Sequence, residues 1–534
     1  MNKQNINIDV LTEQIANKIG KPVSETVVLA TIESFGIREI DAQQDYGMQS
    51  LDILASKIYT SLIEVSKQFQ LKNAKEIADT DTETMAVSGY LHTKIRLFSK
   101  YYPLGILHLL PVIIQIVAII LFGYSLWTYI GFNQLQSTAV VLGVILGMVL
   151  SGGFIQVIGK QLSFHYNYKN FDLMKSSLQY ILKLALITTL GFGVFVFLVN
   201  CLIPAFPISF ILIGLCYALL ISYLLVLLAT LYPLKERWMI STAVALGTLV
   251  AILSLLLANM NIYLSHWLGM LTVIFTIKGY LRYYFKKQIK TDTVSNNKVR
   301  VSSFIYNSYK HFIYGLLLYI FFFIDRILAW SVSINEKSPL LIYYEKNYEI
   351  GMDIAILVFL LLSGVLEYAM ASFTSFLSLE QKKTLITDIK AYSRKLMKLY
   401  WQNMVLFFGS TIFIFVFIYL IITSSWGYEA QFKEVLNNVS INVCIIGSIS
   451  YILLAWAILN ALYMMCLNQP KIIIKALFIA CLVNVFFGFV FSRLISYEYS
   501  VLGLLFGTLV FLILSLKACA NYYQKLDYYY YAAF

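Results

Sequence analysis

The sequence predicts an all-α polytopic membrane protein that carries a small helical module at its N-terminus. Hydrophobic residues make up 59% of the 534 residues and charged residues only 13%. The mean hydropathy of +0.74 is far from the balance of soluble globular proteins. From about residue 104 onward, apolar runs of roughly 20 residues recur, each long enough to cross a hydrocarbon core as a helix. The segment before them is polar and rich in acidic residues.

The N-terminal segment predicts short helices that form a cytoplasmic module over residues 1–70, followed by a linker over residues 71–103. Ser24 is suited to cap the start of a helix, and apolar residues recur at helical spacing over residues 51–65. Residues 1–88 hold 13 acidic and 8 basic residues, a net charge of −5. This negative charge is opposite in sign to the basic inner face expected for the membrane part.

Counting the apolar runs predicts twelve transmembrane helices. The longest hydrophilic break between them, residues 286–303, divides the helices six and six. We therefore expect two six-helix bundles, residues 104–285 and residues 304–534, the second including a C-terminal tail. The predicted spans cover residues 106–128, 138–159, 178–201, 207–232, 238–259, 262–285, 312–333, 351–376, 402–424, 440–467, 473–495 and 500–518.

Basic residues fall on alternate connections between the predicted spans, beginning with the segment before the first span. The positive-inside rule then places both termini in the cytoplasm, and an even number of spans agrees with that result. We expect a multi-pass protein of the cytoplasmic (inner) membrane. No signal peptide is expected, because the first long apolar run starts near Leu104.

Several chemical classes are disfavoured by the sequence. The six cysteines form no C-x-x-C pair and have no histidine at ligand spacing, so we expect no metal site, cofactor or disulfide framework. Walker, H-E-x-x-H, G-x-S-x-G and GxGxxG motifs do not occur in their required context, so we expect no catalytic residues. The net charge of +12 reports membrane topology rather than a nucleic-acid partner.

Ionisable residues inside the predicted spans are the main candidates for a cavity or a gate, because a charge at the bilayer centre costs about 2.5–3.5 kcal/mol. Asp325 and Arg326 diverge by about 100° on a helix, and either pair with other helices or take part in transport or gating. Glu367, near the middle of the eighth span, is either a buried structural carboxyl or part of a path. The full candidate set is Lys183, Lys278, Arg282, Asp325, Arg326, Asp353, Glu367, Asn484 and Arg493. Four of these lie close enough to span ends for their side chains to snorkel to the interface: Lys278, Arg282, Asp353 and Arg493.

The first half of the membrane part contains almost no acid. Between residues 104 and 291 the carboxylates are Asp172 and Glu236, and both fall in predicted cytoplasmic loops. A proton or sodium relay through this half would lack its usual residues. Lys183, which lies inside the third span, either snorkels or enters a cavity.

Short motifs follow one another in a fixed order along the second half. Ile324-Asp325-Arg326 lies before a span end, Met352-Asp353-Ile354-Ala355 opens the next span, and Glu367 follows within it. In order and spacing these motifs resemble the PelG-type exopolysaccharide export proteins, relatives of the multidrug/oligosaccharidyl-lipid/polysaccharide (MOP) flippase superfamily. The resemblance covers roughly residues 104–534, and its other elements are KQLSFHYNYKNFDLMKSSL in the first half, Asn484, residues 499–503, Leu526-Asp527-Tyr528 and Phe534.

The resemblance implies a transporter that moves a polysaccharide or a lipid-linked saccharide across the cytoplasmic membrane, with membrane lipid and glycan as its partners. The negative charge and the capped helices of the N-terminal module lead us to expect that it either docks on a glycosyltransferase or another protein of the synthesis complex, or is a passive appendage. Two other classes remain open. A membrane-embedded glycosyltransferase or polysaccharide ligase would need a large outer loop, and the longest predicted one spans only residues 334–350. A cation-coupled small-molecule exporter would need acids in the first half.

A second resemblance lies in the N-terminal module. Tyr46-Gly47-Met48-Gln49-Ser50-Leu51 faintly resembles the phosphopantetheine site of acyl carrier proteins. Ser50 stands at the attachment position, and Gln49 replaces the usual acid before it. The resemblance implies a serine that is modified at the start of a helix.

Overall fold

In the computed structural model, the described part of the chain consists of helices joined by short connections. The described residues are 3–19, 24–64, 87–289, 301–332, 341–383, 389–424, 427–432 and 434–525. They divide into two compact units, Met1–Ile95 with Leu379–Ile389 and Arg96–Ser378 with Lys390–Phe534. The domain boundaries drawn from the sequence stay a prediction. Residues 71–86 of the predicted linker lie outside the described residues, and residues 87–103 belong to a helix.

The N-terminal module is a small helical bundle, as the sequence predicted. Its helices are α1 (Lys3–Ile19), α2 (Glu25–Ser34), α3 (Glu39–Gln44) and α4 (51–64). Ser24 stands at the N-cap position of α2 with an extended backbone, but its side chain makes no capping hydrogen bond to that helix, so this part of the prediction is wrong. Gly36 follows α2 at φ +80°, where glycine avoids the strain that a Cβ would cause. Each helix contributes fully buried side chains to one apolar core, for example Ile15, Ile32 and Ile58.

The membrane part contains one long helix for each predicted span except the first, which is formed by two. The helices are α5 (Val87–Ile106), α6 (Leu110–Phe122), α7 (Gln134–Asn167), α8 (Phe171–Leu202), α9 (Ile208–Ala229), α10 (Trp238–Leu256), α11 (Ile262–Gln288), α12 (Val301–Trp330), α13 (Lys346–Lys383), α14 (Ile389–Thr423), α15 (Tyr428–Phe432), α16 (Asn438–Cys466), α17 (Pro470–Leu494) and α18 (Val501–Gln524). A 3₁₀ turn, Tyr497–Ser500, precedes α18.

Ten of the described helices are long and apolar enough to cross a membrane, or eleven spans when one bent pair is included. The bent pair is α5 from Ile95 together with α6, which meet at 41°. Pro111, which has no N–H to donate, lies in the first turn of α6. The predicted count of twelve also includes α11, a 27-residue helix whose polar and aromatic residues, His266 and Trp267 among them, lower its hydropathy; at about 40 Å it is long enough to cross a bilayer.

The membrane helices fall into two groups, and each group has its own hydrophobic core. One core is built mainly from α7 to α11, with Ile158, Leu224 and Val273 at its centre. The other is built mainly from α12 to α18, with Phe321 and Leu504 at its centre. Each core consists mainly of side chains from its own half, although Ile145 of α7 belongs to the second core and Phe304 of α12 to the first. The described helices therefore form two bundles that meet along a limited set of contacts.

The helices α7 and α12 join the two halves directly. A Cβ built on Gly315 would overlap the carbonyl oxygen of Gly152, so small residues let the two backbones approach closely. Gln161 Nε2 also donates a hydrogen bond to Ser308 Oγ at 2.8 Å. Since α12 contacts the first half along this stretch, the seventh span does not face the first half across open space there.

Candidate functional site

Arg326 on α12 lies at the centre of a charged cluster in the second half. Its side chain is 6% exposed, and its guanidinium pairs with the carboxylate of Glu349 and, at 2.9 Å, with Asp353 Oδ1. Glu349 is itself 2% exposed and accepts a hydrogen bond from Trp330 Nε1 at 2.9 Å. We call Arg326, Glu349 and Asp353 the Arg326 cluster. It ties α12 to the start of α13.

The two acids of this cluster differ in exposure. Asp353 has a side chain that is 67% exposed, although it pairs with a buried arginine. Its carboxylate can therefore accept hydrogen bonds from hydroxyl groups outside the protein core. Glu349 has no such access, so its role is to compensate the buried charge of Arg326.

Asp325, the neighbour of Arg326, points elsewhere. It is fully buried, and its Oδ2 accepts a hydrogen bond from Tyr348 Oη at 2.7 Å. Its backbone carbonyl accepts one from Ser500 Oγ at 3.0 Å. Asp325 Oδ1 has no hydrogen-bond partner among the described residues. The two adjacent charges therefore bind different partners, as the divergence along a helix predicts.

Glu367 lies in a second cluster that joins the two halves. Its Oε1 pairs with Arg237 Nη2 at 2.6 Å, and its Oε2 lies 3.9 Å from His108 Nε2. His108 Nδ1 lies 2.9 Å from the hydroxyl of Tyr232, and Arg237 Nη1 donates to the carbonyl of Leu104 at 3.2 Å. We call Glu367, Arg237, His108 and Tyr232 the Glu367 clamp.

The clamp sits beside a close contact of two helix backbones. A Cβ built on Gly105, near the end of α5, would overlap Cα of Gly364 on α13. Ser363 Oγ donates a hydrogen bond to the carbonyl of Gly105 at 3.2 Å. His108 lies in the break between α5 and α6. The clamp, the break between α5 and α6 and the glycine contact therefore lie next to one another along α13.

The two charged clusters are separate sites. Glu349 and Glu367 are 18 residues apart on α13, which corresponds to about 27 Å along the helix. Glu367 pairs with Arg237, which immediately precedes α10 in a connection predicted to be cytoplasmic. The sequence interpretation placed Glu367 near the middle of its span; that depth stays a prediction, and along α13 (Lys346–Lys383) Glu367 lies 21 residues from the start and 16 from the end.

Two further candidates, Asn484 and Arg493, belong neither to the Arg326 cluster nor to the Glu367 clamp. Asn484 on α17 is buried and donates from Nδ2 to the carbonyl of Phe321 at 3.3 Å. Arg493 lies 4.2 Å from the ring centre of Phe489 and donates to Ser331 Oγ at 2.7 Å. Both residues thus have structural contacts with neighbouring groups.

The three basic candidates of the first half lie at its surface. Lys183 on α8 and Arg282 on α11 are exposed. Lys278 is partly exposed, and its Nζ lies 4.6 Å from the ring centre of Tyr223.

Sequence reasoning missed four residues that complete the two clusters. Glu349 was assigned to an outer loop, and Arg237 was counted as a basic residue of a cytoplasmic loop. His108 and Tyr232 were not among the sequence candidates. The position of Glu349 and Arg237 in the sequence could have identified them as candidates. Both lie within about two turns of predicted span ends, where helices commonly extend beyond the bilayer.

The comparisons with known proteins agree with this architecture. The profile of the PelG family, described as "Putative exopolysaccharide Exporter (EPS-E)", matches residues 102–531. No curated protein sequence matches the chain. The matched range covers the membrane part from the end of α5 onward and leaves the N-terminal module outside.

Solved structures with a similar fold are transporters of the MOP superfamily. An outward-facing multidrug resistance MATE family transporter aligns with a TM-score of 0.58 at 12% identity, over 81% of this chain and 97% of that chain. A MOP superfamily transporter from Pyrococcus furiosus gives the same four values. The inward-facing conformation of a MATE family transporter gives a TM-score of 0.53 at 12% identity, over 78% and 98%. At this identity the likeness shows the fold, and the family match supplies the function. The chain belongs to the PelG family of exopolysaccharide exporters, and its membrane part has the fold of MOP superfamily transporters.

Proposed function

We propose that this exporter moves its glycan across the cytoplasmic membrane by alternating access, with the Glu367 clamp closing one end of the passage between the halves. The observation that carries the proposal is the ion pair between Arg237 of the first half and Glu367 of the second. Their side chains are 18% and 28% exposed, so the pair lies between a surface pair and a buried one. Such a pair stabilises a contact without making it permanent.

In this proposal the Arg326 cluster braces the second half, and Asp353 presents a hydrogen-bond acceptor to a hydroxyl-rich substrate. The buried pairing of Arg326 with Glu349 fixes the start of α13 on α12. Because Asp353 is largely exposed, its carboxylate is the member of the cluster that can meet a glycan.

Purified protein in lipid vesicles separates this proposal from an enzymatic function. We expect net movement of the glycan across the bilayer, without new glycosidic bonds, and a lower rate for Glu367→Gln. New glycosidic bonds without net movement would instead support a membrane-embedded glycosyltransferase or polysaccharide ligase. Movement that depends on a cation gradient and accepts unrelated small molecules would support the cation-coupled exporter.

We also propose that both termini lie in the cytoplasm. Lys169 is exposed in the connection between α7 and α8, and Ile203 is 67% exposed in the connection between α8 and α9. In intact cells, a membrane-impermeant thiol reagent should label Ile203→Cys and leave Lys169→Cys unlabelled. The reverse pattern would invert the proposed orientation, and labelling of both would contradict the assignment of α8 as a span.

The N-terminal module is proposed to dock on a protein of the glycan synthesis complex. It lies outside the family match, forms its own core and carries exposed acids. Deleting residues 1–86 should leave membrane insertion intact and reduce export. The charge-neutralising variant Glu33→Gln/Glu39→Gln/Asp45→Asn should reduce export in the same direction, since it changes exposed side chains and no core residue. Unchanged export by both variants would show that the module is a passive appendage.

A second role for the module is favoured by the position of Ser50. This serine directly precedes α4, and its Oγ accepts a hydrogen bond from the backbone N–H of Ile53 at 3.3 Å. A serine at the start of a helix is the placement that the resemblance to acyl carrier proteins implies. Intact-mass analysis of protein produced with a phosphopantetheinyl transferase should show the added group, and Ser50→Ala should lack it. An unchanged mass of the wild-type protein would exclude this role.

A further inference from the structure

An apolar groove opens on the lateral surface of the first half, where α8, α9 and α11 meet. Its cavity measures about 520 Å³, and a second hollow of about 260 Å³ adjoins it through Leu215. Leu190 and Val194 of α8 line the larger cavity and are 45% and 59% exposed. Trp267 of α11 also lines it. The groove therefore lies on helices that cross the membrane and faces the lipid.

Two polar side chains along the groove, Thr189 and Asn200, are engaged within the protein. Thr189 Oγ1 donates to the carbonyl of Ala185 at 2.8 Å and lies 3.1 Å from Ser222 Oγ. Asn200 binds both backbone groups of Phe206, donating to its carbonyl at 2.9 Å and accepting from its N–H at 3.0 Å. The groove consequently offers its occupant mainly apolar contacts. In a membrane, a hydrocarbon chain is the ligand that fits this chemistry.

Two lysines lie on the same side of this groove. Lys183 is seven residues before Leu190 on α8, and Lys278 is seven residues after Leu271 on α11. Seven residues are two helical turns, so each lysine lies on the groove-lining face of its helix, about 10 Å away. Three connections separate α8 from α11, so these two helices run in opposite directions. Lys183, which precedes the groove on α8, and Lys278, which follows it on α11, are therefore displaced toward the same side of the membrane. The ring of Tyr223, under Lys278, belongs to α9 between them.

From this juxtaposition we propose a binding site for an anionic phospholipid, with one acyl chain in the groove and the phosphate held between Lys183 and Lys278. Basic residues between transmembrane helices on one side of the membrane recognise anionic headgroups in this way. The geometry assigns a partner to both lysines and explains why their charges lie in line with an apolar groove. The site contains no residue of the Glu367 clamp, so it stands independently of the proposed transport cycle.

The test uses the full-length protein in bilayers of phosphatidylcholine that contain a small fraction of a lipid with brominated acyl chains, which quench tryptophan fluorescence on contact. Subtracting the signal of Trp267→Phe from that of the wild type isolates the tryptophan that lines the groove. Brominated phosphatidylglycerol should quench this component at a lower fraction than brominated phosphatidylcholine. Each lysine should contribute roughly fivefold to that preference, so Lys183→Ala/Lys278→Ala should remove it.

Two matched controls keep the proposal falsifiable. Lys475→Ala/Lys517→Ala removes two exposed lysines of the second half and should leave the preference unchanged. Gly193 lines the groove, with Leu215 Cδ2 3.9 Å from the position of an added Cβ, so Gly193→Leu should fill it and abolish quenching by both lipids. Gly191→Leu, with no atom within 4 Å, should not. Equal quenching by both lipids in the wild type, a preference that survives loss of both lysines, or quenching that survives Gly193→Leu overturns the proposal.

Discussion

Neutralising Glu367 should open the contact between the two halves at the level of the clamp. Glu367→Gln keeps the size of the side chain and removes the charge that pairs with Arg237. The hydrogen bond from Arg237 to the carbonyl of Leu104 remains and still holds the guanidinium near its place. The variant therefore isolates the electrostatic link between the first and second halves.

The magnitude of the effect follows from distance and exposure. At 2.6 Å and an effective dielectric constant of 20, the gross attraction is about 6 kcal/mol, most of which is offset by desolvation of the two ions. Exposed pairs contribute about 0.2–1 kcal/mol, and losing one partner of a buried pair costs about 3–5 kcal/mol. With exposures of 18% and 28%, we expect Glu367→Gln to cost about 1–3 kcal/mol. That corresponds to a shift of roughly five- to 150-fold in the equilibrium between closed and open states.

Labelling of Ser363→Cys by a maleimide reports this equilibrium, because Ser363 hydrogen-bonds across the contact. Peptide-level mass spectrometry separates its label from that of the native cysteines. Labelling should accelerate in Glu367→Gln and stay at the wild-type rate in the control Glu434→Gln. The control breaks the Lys346–Glu434 pair, which has a similar distance of 2.7 Å but is 60% and 48% exposed within the second half. Equal labelling rates in the wild type and Glu367→Gln would refute the clamp.

Two further predictions rest on burial and on packing. Glu349→Gln should lower the free energy of unfolding by about 3 kcal/mol because Arg326 loses its buried partner, whereas Asp353→Asn should cost less than about 1 kcal/mol and reduce export instead. Thermal unfolding in detergent compares them, and equal losses would contradict the assigned roles. Gly105→Ala should separate α5 from α13 and reduce export, while Gly191→Ala should be neutral because no atom lies within 4 Å of its added Cβ; unimpaired export by Gly105→Ala would show that the contact is dispensable.

The fold was predictable from hydropathy because lipid leaves the backbone few options. Helices satisfy their own N–H and C=O groups, so each long apolar run in this all-helical part indicates a membrane helix. Hydropathy carries no signal for the polar extensions of those helices. The seventh span was predicted over residues 312–333, whereas α12 begins at Val301. The break at residues 107–109 was also missed, since an apolar run does not reveal a bend of 41° within it.

The candidate site was predictable only in part. Charged residues inside apolar runs could be recognised in the sequence. Both Arg326 and Glu367 form ion pairs in the structure, as expected for charges that are largely buried. Their partners were not visible, because Glu349 is 23 residues away in sequence and Arg237 is 130 residues away. Pairing over such separations is decided by tertiary packing, which a single sequence does not display.

The pairing of Arg326 with Glu349 changes how substitutions of the adjacent charges must be interpreted. From the sequence alone, retained export after replacing Asp325 and Arg326 together by leucine would indicate a packing role. In the structure the same change leaves Glu349 buried without its cation and removes the acceptor of the Tyr348 hydroxyl. Loss of export in that double variant would therefore follow from instability. Asp353, which is exposed and paired, is the position where a change of charge separates transport from folding.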